Sequence, residues 1–262
     1  METICIFCDN ENNAKSFEHI VSESLGNKNY TMPKGTVCDT CNGRFSKFES
    51  SALNNSILAM ERARFGIATK KGKNVKGKIN ELNIQGDENF KREFINVQGI
   101  DKSNFTYNPS TRSGSLIVKT FDKSEVAVSK LLLKMGLEAI FCSQKMVYQK
   151  NDFTDLKNFL TSKNNNDWPF LTTKYAERPF LYIPNSAQRK ELDKLRCSLT
   201  YTRMGDRVLL FKFQYGAIPF LINLLNRDLE WLKKVIESDS KAELYPIHFR
   251  KKIGMDKSEN KE

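Results

Sequence analysis

The chain has 262 residues, 39% hydrophobic and 28% charged, with a formal net charge of +11. This is the composition of a globular protein of one large or two modest domains. No run of about 18 apolar residues occurs, which argues against a spanning helix, and the excess of positive charge fits a polyanionic partner.

The first residues, Met1-Glu2-Thr3-Ile4-Cys5, lack the basic and apolar regions of a signal peptide, so a cytoplasmic protein is expected. Two Cys-x-x-Cys pairs follow, Cys5-Ile6-Phe7-Cys8 and Cys38-Asp39-Thr40-Cys41. In a reducing compartment this spacing favours metal over disulfide, and four thiolates suit one tetrahedral Zn²⁺. Such an ion has every position filled by protein, so it holds the fold and does not activate water. Residues 1–50 are rich in Cys, Asn, Gly and Ser and hold too few large apolar side chains to build a core unaided, the usual setting for a structural metal. Cys142 and Cys197 stand alone in apolar surroundings and read as buried core thiols.

Between the pairs, 16–21 is predicted to be a short strand, with turns at 26–29 and 33–35. From Cys41, Phe45, Phe48, Leu53, Ile57, Met60 and Phe65 recur at helical spacing, which predicts a helix broken around Ser50-Ser51 and a second one reaching Arg64. Residues 61–78 carry Arg62, Arg64, Lys70, Lys71, Lys73, Lys76 and Lys78 against Glu61, with interspersed glycines. They read as a basic connector, either a solvated surface or a phosphate-tracking arm.

Strands are predicted at 79–84, 94–97, 105–107 and 116–121, with turns at 85–87 and 108–110. A helix is predicted over 126–141 and another over 155–161. Ser198–Thr202 and Val208–Phe213 flank Arg203-Met204-Gly205-Asp206 and read as a β-hairpin, whereas 217–225 fits a strand or a buried helix equally. Phe211, Phe213, Tyr215 and Phe220 read as core, His248 as a packed or surface residue, and the tail from Lys251 as disordered. The fold class is therefore α+β: a small module over 1–60, the connector over 61–78, a larger mixed α+β domain over 79–250, and the tail over 251–262.

One further pattern lies inside the cysteine frame. Glu18-His19-Ile20-Val21, then Glu23-Ser24-Leu25-Gly26-Asn27, then Pro33-Lys34-Gly35, then Cys41-Asn42, Phe45-Ser46 and Glu49 together resemble the zinc-stapled HNH endonucleases, over roughly residues 3–50. The resemblance implies a ββα-metal fold and hydrolysis of phosphodiester bonds, with double-stranded DNA as the expected substrate and partner. It implies His19 as the general base, and Glu18 and Asn42 as ligands of a catalytic divalent ion. Ser22 replaces the proline common in this group. Ser46 stands where some relatives have a second His ligand; as a weak donor it points to Mg²⁺ or Mn²⁺ rather than zinc. Glu49 reads as a carboxylate on the helix surface or one supporting the site. Arg44, Lys47, Arg62, Arg64, Lys70, Lys71 and Lys73 are candidate nucleic-acid contacts. Proteins of this layout suggest genome defence or restriction, with the larger domain used for targeting, regulation or dimerisation with a second copy or partner protein. Two other readings compete: a non-catalytic zinc-ribbon module that binds nucleic acid, and a regulatory protein with a vestigial nuclease head. Elemental analysis is expected to find about one zinc per chain, and far less after Cys38→Ser.

Overall fold

The computed structural model describes residues 3–12, 14–26, 30–69, 71–79, 82–89, 92, 94–116, 124–161, 167–173, 197–216, 218–238 and 242–254. Two short antiparallel strands, β1 (Thr3–Ile4) and β2 (Glu11–Asn12), flank the first Cys pair. The strand expected over 16–21 is reduced to a single bridge, His19 with Thr31. Backbone hydrogen bonds from Ile20 N to Tyr30 O (2.9 Å) and from Met32 N to Glu18 O (2.8 Å) complete this narrow hairpin. Its brevity has a local cause: Ser22 caps a 3-10 turn over Glu23–Leu25, which bends the chain away after Val21. The Pro33–Gly35 turn is present, closed by Thr36 N to Pro33 O at 3.2 Å. Of the turn expected at 26–29, residues 27–29 lie outside the described residues.

Helix α1 spans Asp39–Leu53 and α2 spans Ser56–Arg64. The break falls at Asn54-Asn55 rather than at Ser50-Ser51, because the Asn55 side chain caps α2 by accepting from Ile57 N at 3.0 Å. The basic run is not a free connector. Its first four residues complete α2, and 76–79 form β3, which pairs with β4 (Leu82–Gly86) and through it with β5 (Ile95–Gln98), all antiparallel. The inner face of this sheet lies on α2 so closely that a Cβ at Gly77 would come within 2.6 Å of the Ala59 Cβ. The strand predicted over 79–84 is thus split between β3 and β4, and Gln85-Gly86 belongs to a strand instead of a turn. A separate hairpin joins β6 (Phe105–Asn108) to β7 (Ser113–Leu116) around the expected turn. Beyond Leu116, the strand predicted to 121 lies outside the described residues.

Helix α3 (Glu125–Ser143) is the central element, followed by α4 (Lys145–Lys150) and α5 (Thr154–Thr161). The remaining strands are β8 (Phe170–Thr172), β9 (Cys197–Arg203), β10 (Leu209–Tyr215), β11 (Ile218–Asn223) and β12 (Glu243–Tyr245). They form an antiparallel sheet in the order β12-β8-β11-β10-β9. The ambiguous stretch after 217 is therefore a strand. One face of the sheet buries Phe211, Phe213, Tyr215 and Phe220 toward α3; the other buries Leu171, Leu210 and Leu244 under α6 (Glu230–Ser238) and α7 (Phe249–Lys252). No charged tail begins at Lys251, since Lys251 and Lys252 close α7; residues 255–262 lie outside the described residues.

The N-terminal module shares its core with the larger domain: α3 packs on α1, and Phe45 and Leu53 join the same apolar cluster as Leu132, Phe211 and Tyr245. Cys197 is buried as expected, but Cys142 is exposed near the end of α3, its Sγ 3.2 Å from the Met32 sulfur. Among the described residues no helix is long and apolar enough to cross a membrane. Where α3 crosses the sheet, a Cβ on Gly136 would stand 2.7 Å from Leu224 Cδ2 and 3.0 Å from the Phe211 ring. Gly136→Ala is therefore expected to destabilise the protein by about 1–3 kcal/mol despite alanine's better helix propensity, measured as a lower guanidinium midpoint at unchanged m-value.

Candidate active site

The four cysteines converge: Cys5, Cys8, Cys38 and Cys41 place their sulfurs within 4.8 Å of one another. Cys8 Sγ and Cys38 Sγ are 3.8 Å apart. That matches the edge of a tetrahedron with Zn–S bonds of about 2.3 Å, about 3.8 Å. Backbone amides also point at the sulfurs, Cys38 N at Cys5 Sγ (3.4 Å) and Cys41 N at Cys38 Sγ (3.3 Å). The hydrogen bond from Cys41 lowers the Cys5 pKa to about 4, while the same contact and burial push Cys41 up. Four sulfurs so close cannot all ionise without a cation, and the donor set fits one zinc. Cys38 also caps α1, so the staple sets where the helix begins.

Glu18 and His19 sit on the short hairpin that lies between the two Cys pairs in the chain. Glu18 is buried, 7% exposed, and its Oε1 accepts a hydrogen bond from Lys134 Nζ at 2.5 Å. Lys134, on α3, is fully buried and also meets Glu49 Oε1 at 2.9 Å, Glu138 Oε2 at 3.2 Å and the His19 carbonyl at 3.4 Å. Sequence reasoning missed this group altogether. Burial works against the charge of Lys134, but Glu138, Glu49 and Glu18 together hold its pKa above the ordinary lysine value. Burial is also the main cause that raises the Glu138 pKa well above the usual carboxylate range, with Glu18 and Glu49 adding to it. Its Oε1 has no partner among the described residues to stabilise a charge. The cluster is thus one buried lysine surrounded by three acidic side chains.

The other sequence candidates separate. His19 Nε2 lies 3.6 Å from Glu23 Oε1, and its Nδ1 is without a hydrogen-bond partner among the described residues. Asn42, in the first turn of α1, donates from Nδ2 to Ser16 Oγ at 3.3 Å, and Ser16 donates in turn to Asp39 Oδ1 at 2.5 Å. Ser46 Oγ turns back to the Gly43 carbonyl at 2.9 Å. Glu18 and Asn42, expected to share a catalytic cation, thus have different partners, and Lys134 already neutralises the Glu18 carboxylate. As a ligand pair the two do not fit a divalent ion in this arrangement. Glu49 is no surface carboxylate; it belongs to the Lys134 cluster.

Two candidate nucleic-acid contacts are corrected. Arg62 is buried, 9% exposed, and donates to the carbonyls of Ser24 (2.8 Å) and Leu53 (3.1 Å), tying α2 to the module. Arg64 pairs with Glu61 at 2.6 Å. Both face inward because backbone carbonyls and a carboxylate offer the partners a buried guanidinium needs. Arg44 donates to the Thr161 carbonyl at 2.9 Å, while Lys47, Lys71 and Lys73 are exposed; Lys70 lies outside the described residues. His248 is half exposed and 3.3 Å from Asp167, on the surface as expected.

Removing the ammonium strands buried carboxylates, so Lys134→Met is expected to cost about 3–5 kcal/mol near neutral pH. Because the folded pKa of Glu138 is raised, the native state binds the extra proton, and its contribution to stability is lost as pH rises from the unfolded carboxylate value toward the folded one. Glu138→Gln should flatten that decline, measured as chemical-denaturation midpoints at successive pH values upward from the ordinary carboxylate range.

Residues 5–58 match the family model described as HNH endonuclease. No curated protein and no solved structure matches the chain. The N-terminal segment of this chain thus combines a match to the HNH endonuclease model with a four-cysteine cluster.

Proposed function

We propose that the protein is a metal-dependent HNH endonuclease that hydrolyses phosphodiester bonds of double-stranded DNA, with His19 as general base. The observation that carries this reading is the His19 ring inside the matched segment. Its Nδ1 is unpartnered among the described residues, while the backbone on either side is held. Ile20 N bonds Tyr30 O, and the His19 carbonyl accepts from Lys134. Nδ1 is buried, but the side chain as a whole is 29% exposed, and a part-exposed imidazole so placed can take the proton of a water that attacks phosphorus in line with the leaving 3′ oxygen.

In this reading Lys134 is a positioning residue: its ammonium pins the Glu18 carboxylate and the His19 carbonyl, and so fixes the base. The module's family implies a divalent ion, Mg²⁺ or Mn²⁺ by the hardness of the available donors, and Glu18 and Asn42 as they stand do not supply its ligand set. The net charge of +11 and exposed Lys47, Lys71 and Lys73 are consistent with a polyanionic substrate. A role in genome defence fits a nuclease head joined to a larger domain, by analogy of layout alone.

With purified protein and Mg²⁺ or Mn²⁺, supercoiled plasmid should be nicked, and His19→Ala should reduce the rate about 10²–10⁴-fold. Nicking that persists unchanged in the variant would overturn the assignment.

A further inference from the structure

The outer face of the β3-β4-β5 sheet carries six side chains in two cross-strand rows. Register places Lys76 opposite Gln85 and Gln85 opposite Asn96; the second row runs Lys78, Asn83, Gln98. Directly paired residues project from the same face. The opposite face is apolar and packs Leu82 and Ile84 against Ala63 of α2. The two rows are therefore a grid of two ammonium groups and four amides. Together with Asn54 at the end of α1, it lines an open groove of about 610 Å³. Among the described residues none of the six side chains is engaged in a hydrogen bond or ion pair.

The dimensions and the chemistry agree on one occupant. Three strands spaced about 4.8 Å apart make a face about 10 Å across, which enters a B-form major groove of about 12 Å. Alternate residues along a strand are about 7 Å apart, the rise of about two base pairs. Asn and Gln offer a paired acceptor and donor that match the major-groove edge of adenine, whereas Lys serves phosphates or guanine. A-form RNA has a major groove too narrow for a sheet, and an unpaired strand would call for aromatic rings within these two rows, where none stands; the exposed Phe94 lies just before β5.

We propose that this face is a duplex-DNA reading surface, in which Asn83, Gln85, Asn96 and Gln98 read base edges and Lys76 and Lys78 hold the flanking phosphates. The proposal rests on the nuclease reading for its substrate class, and it makes the domain beyond the HNH module the source of target choice.

The test uses the full chain carrying His19→Ala, so that bound DNA stays intact, and a pool of 30-base-pair duplexes with a randomised centre. The parent should enrich a motif containing adenines. Asn83→Ala/Gln85→Ala/Asn96→Ala should enrich none while still binding. Lys76→Ala/Lys78→Ala should weaken binding to every duplex about 10-fold and make the slope of log K against log salt less steep by about 1.8, two phosphate contacts' worth. The single variants Lys78→Ala and Gln98→Ala serve if a multiple variant fails to fold. An unchanged motif in the amide variant with unchanged affinity in the lysine variant overturns the proposal. So does a parent that binds no duplex, that selects no sequence, or that binds duplex RNA or single-stranded DNA as well through these residues. Plasmid nicking by the unmodified chain, run in parallel, keeps the two readings apart. Selection without nicking sinks only the nuclease; nicking with motif and affinity indifferent to the face sinks only the reading surface.

Discussion

An ammonium without water is tolerated only where carboxylates replace the solvent, and Lys134 imposes that condition on three segments at once. Glu18 comes from the narrow hairpin, Glu49 from α1 and Glu138 from α3 itself. Each must reach one nitrogen, so the hairpin and α1 are held to α3 in one register. Apolar packing alone would permit sliding; a buried charge with fixed acceptors does not, because misplacing one acceptor leaves an uncompensated ion. The docking of the N-terminal module on the rest of the molecule follows from this contact.

The thiolate cluster does a different job. It joins the chain near residue 5 to the chain near residue 41, caps α1, and so makes a segment with few large apolar side chains hold a shape. His19 lies between the two constraints, its hairpin closed on one side by Tyr30–Met32 and its carbonyl held on the other by Lys134. A side chain whose backbone is held on both sides has little backbone freedom left to lose. The same arrangement accounts for Glu18, a residue that reads as a cation ligand and whose cation here is a lysine.

Periodicity was a good guide wherever a segment meets one uniform environment. The apolar spacing of 126–141 placed α3 nearly to the residue, and the alternation on either side of 203–206 placed the β9–β10 hairpin. It failed where neighbours decide. Arg62 and Arg64 sit in a run of positive charge, and charge density says nothing of the Ser24 and Leu53 carbonyls or of the Glu61 carboxylate that take them inward. The interspersed glycines of the same run suggest a connector, although Gly77 is small because Ala59 of α2 stands against it. Strand ends in 79–86 shifted because Asn80-Glu81, between β3 and β4, includes no Gly or Pro to mark a break in the sequence.

By itself the sequence determined what depends on neighbours along the chain: two Cys-x-x-Cys pairs that form one cluster, and the Glu-His and Cys-Asn steps within a segment that matches the HNH endonuclease model. Spacing of that kind is local, and local geometry is narrow enough to read. Tertiary structure alone decided what Glu18 and Glu49 do, because their partner lies 116 residues beyond Glu18. A lysine in the middle of an apolar helix carries no mark of which carboxylates will surround it. That outcome depends on the packing of α3 against the hairpin and α1, and only the folded chain brings those charges within 3 Å or so of one another.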